Sequence, residues 1–257
     1  MKYVRFYTPD GQEKYGILNG DTVQECKGDY FREMEYSGNT YPLDKLRLLA
    51  PSCPSKIVAV GLNYKDHIRE MRLQTPQDPV IFLKPSSAVL DPEDFIEIPQ
   101  NVGQVDYEAE LALVIRRTCR NIRKEDTKAY ILGYTCLNDV TARHIQALDG
   151  QWTRAKGYDT FAPFGPYIDD SLNPHETDIK LVLNGEVKQH SNTREFLFPA
   201  EELVSFVSRA MTLYPGDVIT TGTPSGIGPM MQGDRVEVVL NNEMILRNKV
   251  RNGVMVK

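Results

Sequence analysis

Apolar and polar positions alternate through much of the chain and predict β-strands. In VDYEAELALVI, residues 105–115, every odd position is apolar, which is typical of the buried face of a strand. Asn184-Gly185 lies between two such runs and is a strong hairpin signal. Further predicted strands are KYVRFYT, KYGILNG, KIVAVGL, PVIFLKP, FIEIP, ILGYTCLND, IKLVLNGEVKQ, GDVITTG and DRVEVVLN.

Helical spacing of apolar residues appears in a few segments. In PAEELVSFVSRAMTLYPG, the residues Leu203, Phe206, Val207 and Ala210 recur at the spacing of one helix face. KEDTKAYILG is a second predicted helix. NYKDHIREMRL is a third, with Asn63 as its candidate N-cap. The predicted fold class is therefore mostly β with a few helices, α+β.

The N-terminal region differs from the rest in its short strand-like runs, which Asp-Gly and Asn-Gly turn pairs interrupt. Proline then clusters at Pro42, Pro51 and Pro54, as is common in a connecting segment. We therefore predict a small N-terminal β subdomain over residues 1–52 and a main domain over residues 53–257.

Composition and charge are those of an ordinary globular protein. Of 257 residues, 41% are hydrophobic and 25% charged, and the formal net charge of -5 argues against a nucleic-acid-binding surface. No apolar run approaches the roughly 18 residues of a membrane helix, and MKYVRFYTPDGQ has no signal-peptide core. We expect a cytoplasmic protein with no membrane or nucleic-acid partner.

The four cysteines show no CxxC spacing, so we expect core thiols, not a zinc site or a disulfide framework.

The even positions of VDYEAELALVI change character along the segment. They begin with Asp106, Glu108 and Glu110 and continue with Ala112 and Val114. On a strand, Glu108 and Glu110 would share one face with their Cβ atoms roughly 6–7 Å apart. Two such carboxylates repel each other unless a cation lies between them or one of them is protonated.

A divalent cation would resolve this repulsion. Hard cations such as Mg²⁺, Mn²⁺ or Ca²⁺ prefer carboxylate oxygens, whereas zinc more often binds His or Cys, which this strand lacks. The best candidate for a third ligand is Asp139, which follows the apolar strand ILGYTCL. The alternative is a solvated outer face of a strand that binds no ion, and the residues alone leave both interpretations open.

Six segments in fixed order resemble the fumarylacetoacetate hydrolase family. They are AVGLNYKDHIREM, VIFLKPSSAVL, DYEAELALVI, LNDVTARHIQ, WTRAKGYDTFAPFGP and TTGTPSGIGP, and they extend the resemblance from about Lys56 to Val250. Within the family, they look like bacterial acylpyruvate hydrolases or 2-hydroxyhepta-2,4-diene-1,7-dioate isomerases. The resemblance implies a mixed β-sandwich roll, a catalytic domain over residues 53–257 and a homodimer.

The resemblance also implies a metal site. Glu108, Glu110 and Asp139 would bind one Mg²⁺ or Mn²⁺ per subunit, and Lys156 in AKGYDTF would reach towards the ligand of that ion. In NYKDHIREM, His67 and Glu70 lie at i and i+3, so both face the same way on a helix. In family hydrolases the matching pair activates a water molecule.

Four further residues are candidate substrate contacts. Thr223 and Gly222 would line the substrate carboxylate through a hydroxyl and backbone N-H groups. Arg143 and Gln146 are the other two, although a structural salt bridge is an alternative for Arg143. The chain has His at position 144, where relatives often have an acid.

Such a site supports enolisation of a small-molecule 2-oxo acid, because a bound cation stabilises the charge of an enolate. The leading hypothesis is a hydrolase that cleaves the C-C bond of acylpyruvates or other 2,4-dioxo acids, such as fumarylpyruvate or acetylpyruvate. The alternatives are a 2-hydroxyhepta-2,4-diene-1,7-dioate (5-carboxymethyl-2-hydroxymuconate) isomerase and an oxaloacetate-type decarboxylase or tautomerase. A non-catalytic metal-binding β protein is a hypothesis of another class.

Two segments are candidates for approaching the far end of the substrate. HIREMRLQTP, residues 67–76, is a candidate lid. HSNTREFLF, residues 190–198, is a second candidate, although a simple connecting loop is an alternative for it.

Overall fold

The computed structural model describes residues 1–70 and 74–253. The strands are β1 (Lys2–Tyr7), β2 (Glu13–Asn19), β3 (Thr22–Cys26), β4 (Tyr36–Pro42), β5 (Arg47–Leu49), β6 (Ile57–Gly61), β7 (Val80–Lys84), β8 (Val89–Leu90), β9 (Phe95–Ile98), β10 (Val105–Tyr107), β11 (Ala109–Ile115), β12 (Ile131–Asn138), β13 (Thr141–Ala142), β14 (Ala162–Asp169), β15 (Asp178–Leu183), β16 (Glu186–Asn192), β17 (Val218–Thr220), β18 (Gly228–Met230), β19 (Arg235–Leu240) and β20 (Met244–Asn252). The α-helices are α1 (Lys65–Glu70), α2 (Arg143–Asp149), α3 (Thr153–Lys156) and α4 (Ala200–Ala210), and 3₁₀ turns cover Leu43–Lys45, Ser86–Ala88, Lys124–Tyr130 and Thr193–Glu195.

Three sheets build the fold, and the predicted mostly β class is confirmed. The largest sheet has twelve strands in the order β4-β3-β2-β1-β14-β12-β11-β17-β6-β7, with β5 paired to β1 and β8 paired to β14. A five-stranded sheet has the order β16-β15-β19-β20-β9, and a three-stranded sheet has the order β13-β10-β18. Most of the pairings are antiparallel, as hairpin connections permit.

The N-terminal strands continue the large sheet. Strand β1 pairs antiparallel with β14, and Lys2 lies opposite Asp169. Backbone pairing therefore joins residues 1–52 to the main domain, and the subdomain boundary at residue 52 stays a prediction.

Strand β11 is central to the large sheet and buried on both faces. Leu111, Leu113 and Ile115 belong to one apolar cluster. Ala112 and Val114 belong to a second apolar cluster on the other face. This explains the change of pattern along VDYEAELALVI, because beyond residue 110 neither face of the strand is exposed to solvent.

Several predicted elements are confirmed and others are corrected. The hairpin at Asn184-Gly185 joins β15 to β16, and both residues have positive φ. Residues 105–115 form two strands, β10 and β11, with a break at Glu108. KEDTKAY forms a 3₁₀ turn, and strand β12 begins at Ile131 inside the segment predicted as helical. The prediction that all cysteines lie in the core is wrong for Cys53, which is exposed.

The helix predicted in NYKDHIREMRL is α1, which begins at Lys65 and is described as far as Glu70. Residues 71–73 of this segment, which also belong to the candidate lid, lie outside the described residues.

Asn63 is not the N-cap of α1, because its side chain is engaged far away in the sequence. Its amide nitrogen donates to Phe198 O at 3.0 Å and to Thr221 O at 2.8 Å. Its amide oxygen accepts from Phe198 N at 2.7 Å. One fully buried side chain thus joins the chain before α1 to the end of the 190–198 segment and to the loop after β17.

The segment 190–198 packs against the chain that leads into α1. The Phe196 ring lies edge-on to the Tyr64 ring, with 4.9 Å between the ring centroids. The same two residues also form an isolated β-bridge. None of the residues 190–198 lines the cavity described below. Both observations favour a connecting role for this segment over a contact with the substrate.

Asn63→Ala should lower the free energy of unfolding by about 2–4 kcal/mol, because the backbone partners of the amide stay buried without hydrogen bonds. Chemical denaturation measures this change. Asn39→Ala is the matched control, since Asn39 is exposed and its side-chain amide donates to Glu25. If Asn63→Ala lowers the free energy of unfolding no more than Asn39→Ala does, the structural role of the Asn63 side chain is contradicted.

Candidate metal centre

The break between β10 and β11 places two glutamates in one buried site. Glu108 lies outside both strands, and its backbone N-H donates to the side-chain oxygen of Asn138 at 2.9 Å. Glu110 lies two residues further along, near the start of β11. Both side chains are almost entirely buried.

Asp139 joins this pair from the end of β12. Its backbone N-H donates to Glu108 O at 2.9 Å, so the strand end is attached to the break in the neighbouring strand. One carboxylate oxygen from each of Glu108, Glu110 and Asp139 lies within 4.8 Å of the other two. The three acids predicted from the sequence therefore converge, and their role as metal ligands stays a prediction.

Two buried lysines contact these acids. Lys156 Nζ lies 2.7 Å from Glu108 Oε2 and 2.7 Å from Asp139 Oδ2. Lys84, at the end of β7, places its Nζ 2.5 Å from Asp139 Oδ1 and donates to Val140 O. Lys84 was not predicted from the sequence. The sequence feature that could have identified Lys84 is its place at the end of the apolar run VIFLK, a strand-end position like that of Asp139.

Arg143 links the site to a fourth acid. Its guanidinium contacts Glu108 Oε1 at 2.6 Å and Asp106 Oδ2 at 2.8 Å. It also donates to Gln146 Oε1 at 2.6 Å. The salt-bridge alternative for Arg143 is thus observed, and the residue also lies on the wall of the cavity. Asp106 is 2% exposed; it is the first of the acidic positions in VDYEAELALVI but was not among the predicted site residues.

The two glutamates differ in their electrostatic surroundings. Burial opposes ionisation of Glu108, but the charges of Lys156 and Arg143 outweigh it and lower the pKa of Glu108. Burial raises the pKa of Glu110 well above its ordinary value, and the charge of Asp139 adds to this effect. Within the described residues, Glu110 forms no ion pair and accepts a hydrogen bond from Gly222 N at 2.8 Å.

The donor set fits a hard divalent cation. Three carboxylates converge in a buried pocket, and one of them, Glu110, forms no ion pair with the residues that the structure describes. Mg²⁺ and Mn²⁺ prefer such oxygen ligands. With every group ionised, four acids face three bases, so the formal charge is -1; the acids are Asp106, Glu108, Glu110 and Asp139, and the bases are Lys84, Lys156 and Arg143. A bound divalent cation would change this sum to +1, which suits an anionic ligand.

A cavity of about 110 Å³ opens over these groups. Eight of the ten predicted site residues line it: His67, Glu108, Glu110, Asp139, Arg143, Gln146, Lys156 and Thr223. Glu70 and Gly222 do not line the cavity. Glu70 Oε2 lies 3.2 Å from His67 Nδ1, and Gly222 contacts Glu110 through its backbone N-H.

An aromatic wall closes one side of this cavity. The rings of Phe82 and Trp152 meet edge to face, with 5.2 Å between their centroids, and both line the cavity. A Cβ atom at Gly61 would lie 2.7 Å from Trp152 Cζ3, so the indole packs directly on the backbone at the end of β6. Lys156 Nζ lies 5.2 Å from the Phe82 ring centroid. Sequence reasoning did not identify this wall.

The hydroxyl of Thr223 is engaged within the protein. Thr223 Oγ1 donates to Ala109 O at 2.9 Å and accepts from Gln189 Nε2 at 2.9 Å. Its predicted contact with a substrate carboxylate stays a prediction.

Comparisons with known proteins find matches over most of the chain. The family model described as "Fumarylacetoacetate (FAA) hydrolase C-terminal" matches residues 56–251, and the model described as "Rv2993c-like, N-terminal" matches residues 1–51. Oxaloacetate tautomerase Fahd2a, mitochondrial, from Rattus norvegicus is 39% identical over 221 residues, which cover 81% of this chain and 71% of the rat protein.

Solved structures extend the similarity to the whole fold. The crystal structure of 2-hydroxyhepta-2,4-diene-1,7-dioate isomerase from Mycobacterium marinum has a TM-score of 0.92 and 40% identity, covering 99% of this chain and 100% of that chain. Maleylpyruvate hydrolase from Sphingobium sp. SYK-6, crystallised with manganese(II) and pyruvate, has a TM-score of 0.81 and 30% identity, covering 99% of this chain and 100% of that chain.

Among residues 1–70 and 74–253, no helix has the length and apolar character needed to cross a membrane. The cytoplasmic location and the homodimer stay predictions.

Glu110→Gln should abolish detectable binding of Mn²⁺, because an amide offers neither the charge nor the two carboxylate oxygens of the native side chain. Titration calorimetry with Mn²⁺ and the purified protein measures this. Glu25→Gln is the matched control, since Glu25 is also a buried glutamate but lies in β3 and bonds to Asn39 and Tyr41. Unchanged Mn²⁺ affinity in Glu110→Gln would contradict its assignment as a ligand.

Proposed function

The chain belongs to the fumarylacetoacetate hydrolase family, and we propose that it is a divalent-metal-dependent isomerase or tautomerase of 2-oxo acids. The reaction moves a proton between the keto and enol forms of the substrate. The observation that carries this proposal is a cavity lined by a buried three-carboxylate cluster and by His67, whose Nδ1 contacts Glu70. The similarity to an oxaloacetate tautomerase and to a 2-hydroxyhepta-2,4-diene-1,7-dioate isomerase supports it.

Glu108, Glu110 and Asp139 would hold the Mg²⁺ or Mn²⁺ ion. When bound, such an ion supplies Lewis-acid stabilisation of the negative charge that develops on the 2-oxo oxygen. Glu108 comes from the strand break and Asp139 from a strand end; Glu108 N donates to the Asn138 side chain and Asp139 N donates to Glu108 O, so both positions are fixed. This fixed frame keeps the charge arrangement the same before and during the reaction.

His67 is the proposed proton carrier. Its Nδ1 faces Glu70 at 3.2 Å, and an ionised Glu70 accepts a hydrogen bond, so the proton of neutral His67 is assigned to Nδ1. This leaves Nε2 as the acceptor for a proton from C3 of the substrate and as its donor in the reverse step. Gly226 N also donates to Glu70 Oε1 at 3.0 Å and so orients the carboxylate that orients His67.

Lys156 is proposed to contact the substrate. An ammonium group has three N-H donors, and Lys156 uses two of them for Glu108 and Asp139. The third donor is available to an oxygen of the 2-oxo acid. Because Lys156 is buried, its charge acts in a medium of low polarity, where it stabilises an enolate more strongly than a solvated lysine would.

C-C bond hydrolysis of acylpyruvates, the leading hypothesis from the sequence, is the second candidate. The His67–Glu70 contact favours it, since the same pair would deprotonate a water molecule for attack at C4. The maleylpyruvate hydrolase is 30% identical, against 40% for the isomerase, so the comparisons support isomerisation more strongly.

Assays with oxaloacetate, 5-carboxymethyl-2-hydroxymuconate (the dioate) and acetylpyruvate in the presence of Mg²⁺ or Mn²⁺ would distinguish the two reactions. We expect catalysed loss of enol absorbance with oxaloacetate or the dioate and little release of pyruvate. Faster release of pyruvate from acetylpyruvate than loss of either enol would favour the hydrolase. Loss of enol absorbance no faster than without protein would contradict the isomerase.

Glu70→Gln should lower kcat for enol-keto conversion by about 10²-fold, because His67 loses the carboxylate that accepts its Nδ1 hydrogen bond and orients the ring. Stopped-flow measurement of enol absorbance tests this. Affinity for Mn²⁺ should stay unchanged, since Glu70 does not belong to the carboxylate cluster. Glu243→Gln, at an exposed site in the β19–β20 turn, is the control, and equal kcat in the two variants would remove Glu70 from the mechanism.

A further inference from the structure

Gln189 is a buried polar residue that the mechanism above does not use. It lies on β16 of the five-stranded sheet and is 1% exposed. Its amide oxygen accepts from Ala109 N at 2.9 Å. Its amide nitrogen donates to Thr223 Oγ1 at 2.9 Å and to Pro224 O at 2.8 Å. One side chain therefore joins three segments of the chain.

The contact with Ala109 falls between the two glutamates of the carboxylate cluster. The break at Glu108 takes this stretch of backbone out of regular strand geometry. Side-chain amides satisfy its N-H groups: Asn138 accepts from Glu108 N, and Gln189 accepts from Ala109 N. Because the directions of the two glutamate side chains depend on this backbone, the bond from Gln189 constrains the geometry of the cluster.

The contacts with Thr223 and Pro224 hold a loop, residues 221–227, that touches the other parts of the site. Gly222 N donates to Glu110 Oε2, and Thr223 Oγ1 donates to Ala109 O. Further along, Gly226 N donates to Glu70. The loop therefore contacts both the carboxylate cluster and the helix that carries the His-Glu pair.

The same loop packs against β16 at a second point. A Cβ atom at Gly226 would lie 2.4 Å from Lys188 O, so only glycine permits this approach. Ser225 Oγ donates to Asp66 Oδ2 at 3.0 Å on the opposite side, at α1. The loop thus lies between β16 and α1, and Gln189 is its polar attachment on the β16 side.

We propose that Gln189 is a positioning residue of the metal centre. It fixes the backbone between Glu108 and Glu110 and the loop 221–227 relative to each other. Its action is exerted through Ala109 and Thr223, and it does not touch the substrate or the ion. This inference rests on the proposed function, because it presumes that Glu108 and Glu110 bind a cation.

The test is Gln189→Met, which keeps the length of the side chain and removes all three hydrogen bonds. Titration calorimetry with Mn²⁺ alone should show an affinity at least about tenfold weaker than that of the native protein, as is typical when the partners that orient metal ligands are lost. The electron paramagnetic resonance spectrum of bound Mn²⁺ should change as well. Lys188→Met is the control, since Lys188 is exposed on the same strand, and its Mn²⁺ affinity should match the native value.

A melting temperature recorded for each variant separates positioning from a purely structural role. A lower melting temperature with native Mn²⁺ affinity and spectrum would overturn the role of Gln189 and leave the proposed function intact. If the native protein binds no Mn²⁺, both the positioning role of Gln189 and the proposed function are overturned.

Thr223→Val provides a second variant in case Gln189→Met does not fold. It removes the hydroxyl that joins Gln189 to Ala109 O with little change in volume. We expect weaker Mn²⁺ binding in the same direction, and native affinity in this variant would also contradict the proposal.

Discussion

Repulsion among buried carboxylates is the constraint on which the site depends. Glu108, Glu110 and Asp139 approach within 4.8 Å of one another with almost no exposure to water. Removing one partner of a buried ion pair typically costs about 3–5 kcal/mol, because the other charge stays uncompensated. The protein therefore needs cations from several directions: Lys84 comes from β7, Lys156 from α3 and Arg143 from α2. These cations leave Glu110 without an ion pair among the described residues, and this imbalance points to a further cation.

The sheet architecture provides this site by interrupting a central strand. A continuous strand through residues 105–115 would leave Glu108 in the regular ladder, whereas the break moves its backbone to side-chain partners. Asn138 of β12 accepts from Glu108 N, and Gln189 of the five-stranded sheet accepts from the next backbone N-H, Ala109 N. The site thus lies where two sheets meet. At the strand break, the side-chain amides of Asn138 and Gln189 accept the hydrogen bonds of backbone N-H groups. Beyond Glu110 both faces of β11 pack into apolar clusters, which anchor the acids from one side.

The sequence revealed the parts of the site that form a pattern and missed those that depend on distant partners. The change from acidic to apolar positions along VDYEAELALVI identified Glu108 and Glu110, and the strand-end position identified Asp139. Lys84 was missed because a lysine after an apolar run usually marks the surface. Asn63 resembled a helix cap, but its partner Phe198 is 135 residues away, and local signals cannot show such contacts.

Isomerisation moves a proton at C3, whereas hydrolysis adds water at C4 and breaks the C3-C4 bond. A metal ion held by the carboxylate cluster would serve both reactions, so the cluster does not distinguish them. The groups whose proposed role differs between the two reactions are His67 and Glu70, whose side chains are 10% and 38% exposed. His67 thus faces the cavity from a sheltered position, while Glu70 lies nearer to solvent. In the proposed isomerisation the imidazole would carry the proton from C3, whereas in hydrolysis the same pair would deprotonate a water molecule. Hydrolysis would need in addition a water molecule held beside the carbonyl at C4, in a cavity that the rings of Phe82 and Trp152 line on one side.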